Sequence, residues 1–188
     1  RDGAGNSSVI SSALTIRIDT QASAAPEAPD LISTYDTGES NTDNITSATI
    51  LSFTLTGLAS NDSVLLKLNS NTIGRTIATG NYLTSFPISI NPFSHQGQSN
   101  LYLVLKDKAG NISSAGDTLL LTIDTNAPDN PIVGVRTSDD TGISPNDNYT
   151  SVTKPNFTIS NLSSGDSIVL RINNTIVASD KADSSSLN

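Results

Sequence analysis

The chain has no cysteine, no methionine and no tryptophan, and one histidine, in 188 residues. Without cysteine there is no disulfide and no thiol chemistry. That absence does not fix a compartment, because bacterial surface proteins also lack cysteine. No apolar run reaches the length that spans a bilayer, and no signal peptide is visible. The first residue is Arg rather than Met, so the sequence is expected to begin inside a longer protein. Charge is sparse at 15%, and the net charge is −8. No basic stripe is present, which excludes the usual electrostatic footprint of nucleic-acid binding. Of 18 acidic residues only Glu27 and Glu39 are glutamate. Aspartate, unlike glutamate, is short enough to brace a turn from within it, and it is also a hard oxygen ligand.

What the chain does contain is repetition. Residues 1–26, RDGAGNSSVISSALTIRIDTQASAAP, lie over 106–131, KDKAGNISSAGDTLLLTIDTNAPDNP, with eleven identities and no gap. DTGESNTDNIT at 36–46 aligns with DTGISPNDNYT at 140–150, and FTLTGLASNDSVLLKLN at 53–69 with FTISNLSSGDSIVLRIN at 157–173. NTI recurs at 71–73 and 174–176, so the offset drifts only from 105 to 103. One small domain per period follows. In that frame residues 1–25 are the C-terminal strands of a preceding repeat, 26–128 a complete repeat, and 129–188 the N-terminal half of a following one. Both partial units would expose apolar faces and open edges, and are expected to pair with neighbours or belong to a longer chain.

The apolar residues alternate. Leu51, Phe53 and Leu55 are separated by Ser52 and Thr54, and Val64, Leu66 and Leu68 share one face. Leu101, Leu103 and Leu105 do the same, as do Leu119, Leu121 and Ile123. A period of two marks strands with one buried face. Strands are predicted near 30–34, 49–57, 63–69, 72–78, 84–90, 100–106 and 117–123, divided by loops of Gly, Asn, Asp and Ser. About seven short antiparallel strands in a hundred residues predict an all-β fold of tandem immunoglobulin-like sandwiches. The core rests on Leu, Ile, Val and Phe. Each repeat closes with IDT and a short proline-containing link, IDTQASAAP or IDTNAPDNP, which predicts a linear rod.

Two polar clusters repeat with the strands. DTGESNTDNIT supplies Asp36 and Asp43, with Glu39, Asn41 and Asn44 nearby, and its second copy supplies Asp140 and Asp147. DxAGN supplies Asp2 with Asn6 and Asp107 with Asn111. In a sandwich the 36–46 loop lies at the outgoing end and the 107–111 loop at the incoming end, with the Asp of IDT between successive units. Carboxylates gathered at a junction repel one another, and calcium removes that penalty by accepting six to eight oxygens. The competing reading is turn chemistry. DTG, AGN and NDN are ordinary turn sequences in which Asp and Asn bond their own backbone, and for any one cluster that account is the simpler. The repetition of both clusters around a junction favours metal. An EF-hand loop is not matched.

Catalysis has little support. His95 stands alone in SHQGQ without a copy elsewhere, nothing marks a nucleophile, and no phosphate loop opens a helix. The Asn-x-Ser/Thr triplets at Asn44, Asn111 and Asn156 are expected by chance in this composition. Tyr35, Tyr82, Tyr102 and Tyr149 form no sugar-stacking platform.

DTGxSxxDxIT, DxAGN before a strand and IDTxAPxxP together resemble bacterial immunoglobulin-like repeats of giant non-fimbrial adhesins exported by type I secretion, a group that includes biofilm-associated proteins. The resemblance spans the chain. It departs at Ser23, where the link has no first proline, and at Pro145 and Tyr149 in the later loop. It implies a stalk of repeats that carries a binding domain away from the cell, stiffened by Ca2+ at the domain junctions. Asp19, Asp36, Asp43, Asp107, Asn111, Asp124, Asp140 and Asp147 are the ligands it implies. The partners implied are neighbouring repeats of the same chain, with a host-cell surface or glycan reached through other parts of the parent. Nucleic acid and membrane insertion of this segment are not expected. The implied location is secreted, on the bacterial cell surface. The alternative is a sandwich that itself grips a glycan or host protein.

Overall fold

The computed structural model describes residues 1–89 and 92–187. The chain divides into two compact units, Arg1–Thr125 and Asn126–Asn188. In chain order the first unit contains β1 (Asp30–Leu31), β2 (Ile45–Thr46), β3 (Ile50–Thr56), β4 (Ser63–Leu68), β5 (Asn71–Ile77), β6 (Tyr82–Ser89), a short helical turn α1 (Pro92–His95), β7 (Gly97–Lys106) and β8 (Leu119–Ile123). One sheet has the order β1-β3-β6 and the other β2-β8-β7-β4-β5. All pairings are antiparallel except β2 with β8. This is the expected all-β sandwich. The strand expected over 84–90 begins two residues earlier, at Tyr82, and its last residue lies outside the described residues.

The core is the set of alternating residues. Leu51, Phe53 and Leu55 of β3 face Val64, Leu66 and Leu68 of β4, Leu101, Leu103 and Leu105 of β7, and Leu121 and Ile123 of β8 within one buried cluster. Burying each such side chain contributes about 1.5–3 kcal/mol over leaving it in water. A single-residue slip would turn each apolar row to solvent, so this pattern also fixes register. β2 was not foreseen. It is a two-residue parallel bridge that carries the 36–46 loop onto β8, with Ile45 opposite Thr122 and Thr46 opposite Ile123.

The second unit contains β9 (Ile132–Val135), β10 (Phe157–Ser160), β11 (Ser167–Ile172), β12 (Thr175–Lys181) and β13 (Ser186–Leu187). β13-β10-β9 forms one sheet and β11-β12 a hairpin. These strands repeat β6-β3-β1 and β4-β5. The hairpin turn is Asn173-Asn174 with φ of 48° and 65°, a pair of positive values that suits the twist of a two-residue turn and that Asn tolerates. Pairing corrects one detail of the repeat. Lys67 faces Thr72 while Arg171 faces Ile176, so Asn71 corresponds to Thr175 and the NTI match is displaced by one residue from the structural equivalence. Among the described residues this unit has no counterparts of β7 and β8, and Phe157, Ile159, Ile168 and Leu170 are only half-buried.

Residues 1–25, expected as closing strands of a preceding repeat, form no strand. A strand needs a paired neighbour, and no described ladder includes them. Val9, Ile10, Leu14, Ile16 and Ile18 are therefore exposed.

Candidate functional site

The loop between β1 and β2 is built around two carboxylates. Asp36 is only 6% exposed. Its Oδ2 accepts the Asn44 N–H at 3.0 Å, whereas its Oδ1 is buried with no hydrogen-bond partner. Asp43 accepts the Ser40 N–H on Oδ2 and the Ile45 N–H on Oδ1, both at 3.0 Å. Those two backbone donors, Ser40 first, hold the Asp43 carboxyl below its ordinary range, and the adjoining Asp36 carboxyl contributes. The two acids are thus immediate neighbours. Gly38 makes room for them: a Cβ there would stand 2.7 Å from Asp43 Oδ1 and 2.9 Å from the Ile45 carbonyl oxygen. Asn44 takes φ 58°, and its carbonyl accepts the Thr122 N–H, which fastens the loop to β8.

The second unit repeats this geometry. Asp140 is 6% exposed, its Oδ2 accepts the Asn148 N–H at 3.1 Å, and its Oδ1 is again buried and unpartnered. Asp147 accepts N–H groups from Ser144 and Tyr149, and is held below its ordinary range chiefly by the Tyr149 N–H, with the Asp140 carboxyl contributing. A Cβ on Gly142 would stand 2.7 Å from Asp147 Oδ1. Neither Pro145 nor Tyr149 alters this arrangement.

DxAGN is a different object. Asp107 Oδ1 accepts the Gly110 and Asn111 N–H groups at 2.7 and 2.8 Å, and Oδ2 accepts Asn111 Nδ2 at 2.8 Å. The Asn111 side chain is the main cause of a lowered Asp107 pKa. Asp2 repeats the pattern with Asn6, which bonds both carboxylate oxygens at 2.9 and 2.8 Å and lowers the Asp2 pKa. Gly5 and Gly110 supply the φ of 92° and 97° that each turn requires. These aspartates brace turns, and their oxygens are already engaged.

The candidates therefore sort by position. Asp19, Asp107 and Asn111 come together: Asn111 Nδ2 donates to the Asp19 carbonyl at 3.1 Å, and Asp19 and Asp107 line a cleft of about 640 Å³. Asp36 and Asp43 come together at the opposite end of β7, ten residues or roughly 30 Å away at strand rise. Asp124 lies near their end, its amide bonded to the Thr46 carbonyl and its Oδ1 accepting Gln96 Nε2 at 2.7 Å. Asp140 and Asp147 pair within the second unit. Among the described residues no three acidic or histidine side chains converge as a metal cluster.

A hard cation fits these groups unequally. Both oxygens of Asp107 already accept N–H donors, as do both oxygens of Asp43 and Asp147; what sets the acidic loops apart is the second carboxylate beside each of these, Asp36 or Asp140. The Asp36–Asp43 and Asp140–Asp147 pairs suit a cation, since each brings two carboxylates together and leaves one buried oxygen without a donor. Buried polar atoms are normally satisfied, so the same orphan in two copies calls for a partner. Two carboxylates supply part of the six to eight oxygens that calcium takes, leaving the rest to loop carbonyls and water. Sequence reasoning missed Asp62, which accepts the Ser23 hydroxyl; its recurrence as Asp166 was the available signal.

A family model described as bacterial Ig-like domain matches residues 22–125 and again residues 127–186. The chain belongs to the bacterial Ig-like domain family. Both matches fall within the two compact units. Bacterial Ig-like domains are typically structural modules without catalysis, and they commonly occur in extracellular or surface proteins. Comparison with curated proteins finds no match. No described helix is long and apolar enough to cross a membrane.

Proposed function

We propose that this chain is a spacer: tandem bacterial Ig-like domains in the stalk of a secreted adhesin on the bacterial surface, holding a binding domain away from the cell for adhesion or biofilm growth. On this reading calcium is bound in the acidic loops, with Asp36 and Asp43 as ligands in one unit and Asp140 and Asp147 in the next. Asp124 sits beside the first loop on the segment leading out of the unit. The ion neutralises two adjacent carboxylates and ties the loop down, so less motion reaches the link that follows.

The observation that supports this most is the buried, unpartnered carboxylate oxygen recurring at the same place in two tandem units. A catalytic or ligand-specific site would not need a faithful copy in each repeat, whereas a spacer does. Small-angle scattering of the chain with calcium and with chelator tests it. The expected result is a loss of maximum dimension on chelation at constant β signal in circular dichroism. An unchanged scattering profile, together with no heat of calcium binding in calorimetry, would sink it.

A further inference from the structure

The two acidic loops share their central pair of carboxylates and differ around it. Beside Asp36 lies a cleft of about 330 Å³, walled by Asp30, Asn41, Thr42, Asn44 and Thr54. Asp36 itself lines it, and its Oδ1 is the buried oxygen without a partner. Asp30 stands on β1 opposite Thr54. In the second unit Thr158, the equivalent of Thr54, stands opposite Gly134. Strand register therefore puts Gly134 where the first unit has Asp30. The sequence spacing agrees, since each lies six residues before its buried aspartate.

Other exchanges run the same way. Glu39 and Asn41 of the first loop are replaced by Ile143 and Pro145, which removes a carboxylate and an amide oxygen. Ile32 is replaced by Arg136, whose carbonyl accepts the Asp139 and Asp140 N–H groups at 2.7 and 3.0 Å. A cationic side chain is thus rooted in the turn that leads to Asp140. One exchange runs against these, Asp139 for Tyr35, and Arg136 lies close enough to act on that carboxylate. The paired asparagines differ too. Asn44 lines the cleft, whereas Asn148 Oδ1 is turned onto β9, where it accepts the Val135 N–H at 3.2 Å.

Calcium affinity rises with the negative charge of the ligand set. Both units bring the same two carboxylates. The first adds Asp30 across the cleft and Glu39 in the loop, and the second adds an Asp–Arg pair of no net charge. We infer, on the basis of the calcium reading of these loops, that the two sites are graded: the first unit holds the ion more tightly than the second, and Asp30 is the residue most responsible. Asp30 is exposed, so its charge acts through partly hydrated space. Across a cleft of this size that charge is worth roughly three- to tenfold in affinity for a divalent cation at physiological salt. Independent but unequal sites fill in order, the first unit before the second as calcium rises.

Calorimetric titration of calcium into two variants of the full chain reads each site alone. Asp140→Asn leaves the first unit and Asp36→Asn leaves the second. The first unit should bind roughly three- to tenfold more tightly. Asp30→Asn, added to the Asp140→Asn chain, keeps the shape of the side chain and removes its charge. It should bring the affinity close to that of the second unit while the melting temperature in chelator stays the same. Gly134→Asp, added to the Asp36→Asn chain, should raise the affinity by a similar factor. A Cβ at 134 would meet only Thr158 Oγ1 at 3.7 Å and Asn148 Oδ1 at 3.9 Å, so the side chain has room. Should Gly134→Asp fail to fold, the Asp30→Asn arm still decides. Equal affinities in the two chains, or an affinity indifferent to Asp30→Asn, would overturn the grading and leave calcium in the loops. No heat of binding in either chain would overturn the calcium reading and the grading with it.

Discussion

At the scale of single residues, two kinds of aspartate look alike in sequence and differ in what surrounds them. Asp107 accepts three N–H donors spread over both oxygens, while Asp36 keeps a buried oxygen with none. Leaving a buried acceptor unmet costs about 1–3 kcal/mol, more for a charged one. Asp36→Asn keeps the acceptor for the Asn44 N–H and turns an amide nitrogen toward Asp43. In chelator this variant should melt no lower than the parent, and it should lose any upward shift that calcium gives the parent, as read by differential scanning fluorimetry. Asp107 predicts a pH effect instead. Its folded pKa lies below the ordinary 3.8 because Asn111 and backbone donors favour the anion. The unfolded state therefore binds its proton first, so the stabilisation is present above about pH 4 and fades as pH falls through the folded value. Asp107→Asn should flatten the acid limb of a stability–pH curve, and an acid limb identical to the parent's would contradict the turn-brace account.

At the scale of elements, the strands were legible because burial on one face imposes a period of two, and β3, β4, β7 and β8 all carry it. β2 was not legible, since two residues have no period and a parallel bridge is set by what lies across it. The Asp36 orphan was equally hidden: sequence places an aspartate in a turn but does not say which oxygen meets an N–H. The close approach of Pro26 to Gly116 was missed because the two lie far apart in sequence. Equivalent strands also differ in energetic weight. Leu66 of β4 is fully buried, flanked within its sheet by Leu103 of β7 and covered by the facing sheet of β3, whereas its counterpart Leu170 of β11 is half-buried. Leu66→Ala should cost about 2–5 kcal/mol, the range for a closed core site. Leu170→Ala should cost about 1 kcal/mol, since less transfer free energy is lost and a smaller void is left. Urea unfolding followed by tyrosine fluorescence and circular dichroism measures both, and equal costs would mean that the second unit is covered more completely than its exposure indicates.

At the scale of the whole molecule, the calcium proposal raises the question whether each unit would hold its own ion or two units would share one. Both carboxylates of each pair belong to a single loop, which argues for one ion per unit. Sharing would couple the units thermodynamically, because an ion bound only when both are folded stabilises both by mass action. Calorimetry separates the two cases. The chain should show two transitions, the first unit melting higher because its core is filled, and calcium should raise both. Asp36→Asn should then cancel the calcium shift of the upper transition alone, and Asp140→Asn that of the lower alone. If either substitution cancels both shifts, the ion lies between units and the junction, rather than the loop, is the binding element. The independent outcome has a mechanical consequence: a stalk built this way loads its ions without cooperativity, so its stiffness rises with calcium in a simple saturating curve rather than a sigmoid.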